Sequence, residues 1–286
     1  MDGADPFDDW LADWHPLPVS GHDAMDPGPV RALSALFDQD PPASPVLPPL
    51  WHWLYFLHWP PTGDLGPDGH PLVGPALPPI PERTRMFVGG RLRHYAGLVT
   101  GEAAIRHSEV VDRTVKQGRS GTMLLVTVRH QIEQGGTVAL VDEQDLMYRS
   151  GAVTPTVSRA TDRPTGPPSS DAAWQEPFSA GPVTLFRFSA LTANSHRIHY
   201  DHPYATGVER YPGLVVHGPL LAMAMAGLAV ARERSRPVTT LGYRFLRPVF
   251  SGDPTLITGR PSGDAAQLAV VGPDGQARAE ADVTFS

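Results

Sequence analysis

Cysteine is absent from the 286 residues, and with it go disulfide frameworks, thiolate zinc sites and cysteine nucleophiles. Any metal would have to be held by histidines and carboxylates. Excess positive charge is missing too. Lys and Arg total 23 against 30 Asp and Glu, a formal net charge of -7, which leaves no basic field for nucleic acid. The N-terminal MDGADPFDDWLADW has neither the basic start and apolar run of a secretory signal nor the Arg-rich character of a mitochondrial one, so a soluble cytoplasmic protein is expected. Long hydrophobic runs are scarce. One, GLVVHGPLLAMAMAGLAVA over 213–231, approaches the roughly 20 residues of a membrane span. Its early His217 and Pro219, its Ala/Gly character and the lack of a second such segment predict a helix buried on every side in a protein core.

What the chain does have is punctuation, with 32 prolines and 28 glycines. DPGPVRALSALFDQD (26–40) predicts a short helix with Pro29 near its start and Leu33, Leu36 and Phe37 on one face. LPPLWHWLYFLHWPP (47–61) crowds aromatic side chains between proline pairs, which suits core packing or a ligand wall. Residues 62–84, rich in Pro and Gly, predict loop. From Met86 to Arg149 the texture is that of strands, with GTMLLVTVRHQI and TVALVDEQDLMY joined as a hairpin through Gln134-Gly135-Gly136. Residues 151–181 have the composition of a linker. VTLFRFSALT predicts a strand, and further strands follow Pro237, with a hairpin at Pro273-Asp274-Gly275. The two halves share a layout of helical or aromatic material followed by antiparallel sheet, so a duplicated module is expected: 1–150, a linker at 151–181, and 182–286.

The chemistry concentrates in SALTANSHRIHYDH (189–202). His196, His199 and His202 recur every three residues, and His199 and Asp201 with His217 imitate the two-histidine, one-carboxylate facial triad. In that triad the distal histidine normally comes from much further along the chain, which disfavours metal. A histidine also titrates near neutrality and suits general acid/base work, with Asn194 able to orient a water but not to take its proton. His217-Gly218-Pro219 then opens the apolar helix, expected over 220–234. Its unpaired N–H groups can stabilise an enolate oxygen, and Gly218 lets a carbonyl approach closely.

FSALTANSHRIHYDHPYA together with YPGLVVHGPLLA resembles the hot-dog-fold hydratases and dehydratases of the MaoC class, in which a D-x-N-P-x-H-x-D loop precedes an HG-initiated helix. The resemblance is closer still to the double hot-dog group containing fungal mitochondrial 3-hydroxyacyl-thioester dehydratase and bacterial itaconyl-CoA and mesaconyl-C4-CoA hydratases. It extends to LPPLWHWLYF, RMFVGGRLRHYAG, GRSGTMLLVTVRHQI and YRFLRPVFSGD.

The resemblance implies an α+β double hot-dog fold, two sheets each wrapped round a central helix, with a degenerate first module and the active site in the second. It makes His199 the catalytic histidine, Gly218 the oxyanion donor and Asp201 a positioning residue of the loop. Asn194 falls where the wider class has its catalytic aspartate, and His196 where it has asparagine. Asp201, His217, Tyr95, Arg93 and Trp53 are the substrate-binding candidates, and arginine beside an acyl channel suits a dicarboxylyl thioester. The expected reaction is addition of water to an enoyl thioester of CoA or a carrier protein, with no metal or redox cofactor. A homodimer through exposed sheet edges is the expected assembly. Two alternatives stand: a non-catalytic acyl-thioester-binding protein, and a His/Asp metal-dependent oxygenase.

Overall fold

Gly135 and Gly136 both adopt positive φ, 57° and 76°, a hairpin geometry that glycine enters without strain. They join β4 (Gly121–Gln134) to β5 (Thr137–Ser150), the hairpin read from the sequence. The computed structural model describes residues 6–118, 121–151 and 166–286. Around that hairpin the N-terminal half adds β1 (Val19–Asp23), β2 (Arg83–His94) and β3 (Ala104–Gly118). The C-terminal half consists of β6 (Trp174–Phe178), β7 (Val238–Phe245), β8 (Thr255–Ser262), β9 (Ala265–Val271) and β10 (Ala277–Phe285).

All ten strands form one sheet in the order β1-β3-β4-β5-β2-β7-β10-β9-β8-β6, and every pairing is antiparallel. Read outward in, each half has its first, third, fourth, fifth and second strands in succession. The two halves therefore share one topology and meet where β2 pairs with β7, Gly90 opposite Tyr243.

Between first and second strands each half carries its helical material. The C-terminal half has α5 (Gly218–Arg232), which lies across β6 to β10. Nine of its residues are buried, as expected of a helix enclosed by protein. It falls short of a membrane span: no helix among the described residues is long and apolar enough to cross one. The N-terminal half has only α2 (Gly28–Leu36), opened by Pro29 and burying Val30, Leu33 and Leu36, followed by a 3-10 turn at Trp51–Leu54. Both sets of side chains enter one continuous core. A smaller cluster lies under α1 (Pro6–Leu11), where Phe7 and Leu11 meet Leu124, Val126 and Tyr148.

Two local expectations differ from the structure. VTLFRFSALT is not a strand but α3 (Pro182–Leu191). Pro182 after Gly181 presets the first helical turn, and the buried residues Leu185, Phe188 and Ser189 follow i, i+3, i+4 spacing. The apolar alternation suggested a strand because Val183 and Phe186, both exposed, fill the intervening positions. The second difference is β6, which lies within the stretch read as linker and pairs with β8. Residues 152–165 of that stretch lie outside the described residues.

Candidate active site

The histidine-rich loop begins where α3 stops. The Asn194 N–H bonds back to the Ser189 carbonyl at 2.9 Å, and the Asn194 side-chain oxygen accepts the His196 N–H at 3.1 Å, closing a tight turn. Arg197–His199 form a 3-10 turn, and Asp201 caps α4 (His202–Gly207) by accepting the Tyr204 N–H. The other Asp201 oxygen holds the Arg197 guanidinium at 2.7 and 2.9 Å. Both Asp201 oxygens are thus engaged within the loop, which suits the positioning role read for it from the sequence more than a substrate contact.

This scaffold aims His199. Its Nδ1 lies 2.7 Å from the Val215 carbonyl, which can only accept, so Nδ1 carries the hydrogen and Nε2 is left as an acceptor. Burial pushes its pKa down to about 4, against the pull of the Val215 carbonyl, with His70 lowering it further. Its ring lies on that of His217, centroids 3.7 Å apart and 18° from parallel. His217 is fully buried and shares a 2.9 Å hydrogen bond with the Ser189 hydroxyl, so it backs His199 rather than presenting itself to a ligand. The facial-triad geometry does not form. The His199 and His217 rings are near-parallel, and the Asp201 carboxylate is taken up by Arg197 and α4.

Gly218 opens α5 immediately beyond His217. A Cβ on it would come within 2.9 Å of the Phe245 ring, so the packing alone calls for glycine. The first-turn N–H groups of α5, on Gly218 and Leu220, have no acceptor within the helix.

A loop from the N-terminal half completes the site, and sequence reasoning missed it. Gly69, at φ 88°, lies so close to the histidine-rich loop that a Cβ would fall on the Ser195 carbonyl. Ser195 Oγ donates to the Gly69 carbonyl at 2.5 Å, the Arg197 N–H to the Asp68 carbonyl at 2.8 Å, and the Arg197 guanidinium to the Pro67 carbonyl at 2.9 Å. This delivers His70, whose Nδ1 is 2.8 Å from Asp68 Oδ2 and whose ring centroid is 4.0 Å from that of His196. His196 in turn meets His199 edge-on at 5.4 Å. Four imidazoles thus run His70, His196, His199, His217.

Burial lowers His70 to about 4, with Arg85 adding to the effect and Asp68 opposing it. Burial works to raise the Asp68 carboxyl, but the hydrogen bond and charge of His70 hold it below its ordinary value. His196 is pushed down by burial and by its imidazole and Arg85 neighbours. Asp68, His70 and His196 each offer a ligand atom within 4.8 Å of the others, the one group among the described residues that could surround a metal ion. The only signal in the sequence was the Asp-Gly-His order inside a proline-rich loop.

The remaining candidates divide. Trp53 sits in the N-terminal half, its Nε1 donating to the buried Asp142 at 2.8 Å. Its ring begins an aromatic row through Phe87 to Phe245, the residue against Gly218. Tyr95 and Arg93 are not brought to the site. Both are exposed, Arg93 on the face of β2 opposite Leu92 and Tyr95 just beyond the end of the strand. Arg91, on their side, is paired with Glu143 and Asp145. The arginines of β2 near the histidines are Arg83 and Arg85, with Arg85 acting on both His70 and His196.

A family model described as hydroxyacyl-thioester dehydratase type 2 matches residues 50–251. The mesaconyl-C(4)-CoA hydratase of Chloroflexus aurantiacus is 43% identical over 262 residues, 88% of this chain and 90% of that protein. The mitochondrial hydroxyacyl-thioester dehydratase type 2 of Schizosaccharomyces pombe is 25% identical over 276 residues, 82% and 87% of the two chains. Among solved structures, a MaoC-like dehydratase from Phytophthora capsici superposes with a TM-score of 0.68 at 13% identity, covering 97% of this chain and 98% of the other. That last likeness bears on the fold, which is the double hot-dog expected from the sequence, with the two expected sheets joined edge to edge into one through β2 and β7.

Proposed function

The chain belongs to the hydroxyacyl-thioester dehydratase type 2 family, and from that premise we propose that it adds water reversibly across the α,β double bond of an enoyl-CoA. One observation carries the reading: a histidine held as a neutral acceptor by the Val215 carbonyl stands beside the N-terminus of a buried helix. Water addition needs those two things, an acceptor to hold the water and N–H donors for the charge that builds on the thioester oxygen.

His199 Nε2 accepts a hydrogen bond from the water, and the Asn194 amide orients it. The Gly218 N–H, at the start of α5, receives the enolate oxygen. The proton released by the water passes to an imidazole and ends on the α-carbon. The thioester itself acidifies that carbon, so the step calls for no resident metal or redox group. The C. aurantiacus relative is named for a dicarboxylyl substrate, and Arg85 beside His70 supplies a cation for a second carboxylate.

A panel of enoyl-CoAs, including mesaconyl- and crotonyl-CoA, tests the reading through loss of the enoyl-thioester absorbance on addition of purified protein. Turnover of mesaconyl-CoA ahead of crotonyl-CoA is expected. Binding without loss of absorbance for every member would instead identify a non-catalytic acyl-thioester-binding protein.

A further inference from the structure

Adding water to a double bond requires a place to hold one proton between its departure from oxygen and its arrival at carbon. Asn194 cannot take it, and its oxygen is already engaged by the His196 N–H. His199 is backed by the Val215 carbonyl, a neutral acceptor, so a positive charge there gains little from its partner. His70 is backed by a carboxylate at 2.8 Å, and charge-assisted hydrogen bonds are about twice as strong as neutral ones.

The placement of His70 is built in detail. Three backbone carbonyls, of Pro67, Asp68 and Gly69, accept from Ser195 and Arg197, and Gly69 is the residue that permits the approach. Asp68 takes the hydrogen of Nδ1, which fixes the tautomer and leaves Nε2 as an acceptor. The ring is partly exposed, at 15%, while lying tilted against His196 and near enough to His199 to act on its charge.

We infer that His70, positioned by Asp68, is the base that holds the proton during hydration, while His199 fixes the water. The inference rests on the hydration reading above. The charged and titratable groups around His70 are Asp68, Arg83, Arg85, His196 and His199. Burial and the two arginines keep it unprotonated at rest, the state that a base requires, and Asp68 stabilises the imidazolium once the proton arrives.

In the step, the water directs one O–H at His199 and the other at His70. The O–H bond facing His70 breaks as oxygen bonds to the β-carbon, and the π pair moves through the α-carbon onto the thioester oxygen at the start of α5. The His70 imidazolium then gives the proton to the α-carbon, the carbonyl re-forms, and His70 is neutral again. One water is added and no net proton is gained or lost.

The experiment uses the full chain with His70→Gln, Asp68→Asn and His199→Gln, read as kcat, KM and the pH profile of kcat/KM on the best enoyl-CoA. His70→Gln should lower kcat by roughly 10²-fold or more with KM nearly unchanged. Asn at 68 keeps the acceptor for the His70 N–H and so keeps the turn. It should lower kcat by about tenfold and move the acid limb to lower pH, because an imidazole without its carboxylate loses its proton more readily. A merely structural Asp68 would leave that limb in place.

Turnover by His70→Gln within threefold of wild type overturns the inference, and so does an unmoved limb in Asp68→Asn, which decides alone where His70→Gln does not fold. Loss of activity to a chelator, restored by zinc, would assign the Asp68, His70 and His196 atoms to a metal and also overturn it. Failure of the hydration reading is distinguishable, because the wild type itself would then be inactive on the whole panel.

Discussion

His199 and His217 lie ring on ring at 3.7 Å, one fixed by the Val215 carbonyl and the other by the Ser189 hydroxyl. Two buried imidazoles in that arrangement cannot both carry charge at modest cost. Both are held neutral by burial, His199 at about 4 and His217 well below its ordinary value, with His199 further disfavouring protonation of His217.

Stability should therefore depend on pH in a definite direction. Between the folded value of about 4 for His199 and His70 and the unfolded 6.5, the unfolded chain binds protons that the folded chain refuses. Stability contributed by these groups is full above 6.5 and is lost as pH falls towards 4, by about 1 kcal/mol per pH unit for each well-buried imidazole. Chemical denaturation of wild type and His199→Gln from pH 7 to 5 checks this: the variant should show the shallower loss, and equal slopes would contradict it.

Gly218→Ala places a methyl group against Phe245 at the mouth of α5. The ring has to move or the helix start has to shift, at a cost of about 1–3 kcal/mol. Either movement displaces the N–H proposed to receive the enolate oxygen, so kcat should fall more than tenfold. Thermal melting and steady-state kinetics together check both effects, and an unperturbed kcat would remove Gly218 from the mechanism.

Arg85 and Arg93 should separate cleanly. Arg85→Met should raise KM for mesaconyl-CoA by about tenfold or more while changing crotonyl-CoA much less, in keeping with loss of a charge-assisted carboxylate contact. Arg93→Met, on the outer face of β2, should leave both substrates within about twofold. Kinetics on the two substrates for the two variants would check this, and the reverse pattern would restore the sequence-based choice of Arg93.

That choice shows where sequence ceases to be legible. Counting alternation from Phe87 puts Arg91 and Arg93 on its side of the strand, but a β-bulge between Phe87 and Gly89 slips the register. Beyond the bulge Leu92 takes the inner face and Arg93 the outer. The hairpin at Gly135-Gly136 and the helix opening at Gly218 were readable because a local conformational demand marks each. Asn194, His199, Asp201 and His217 could be found because they share one loop and one helix start. Asp68 and His70 could not, since 126 residues separate Gly69 from the Ser195 it touches, and no local pattern records such a contact. In α3 the sequence carried both periods at once, and burial of Leu185 and Phe188 decided for the helix.

The most direct measurement is the steady-state hydration of the best enoyl-CoA by wild type and by His199→Gln at pH 7.5, with folding verified by thermal melting. Loss of the acceptor that holds the water should reduce kcat by roughly 10²–10⁴-fold in a folded variant. A folded His199→Gln variant that hydrates at the wild-type rate would contradict the account.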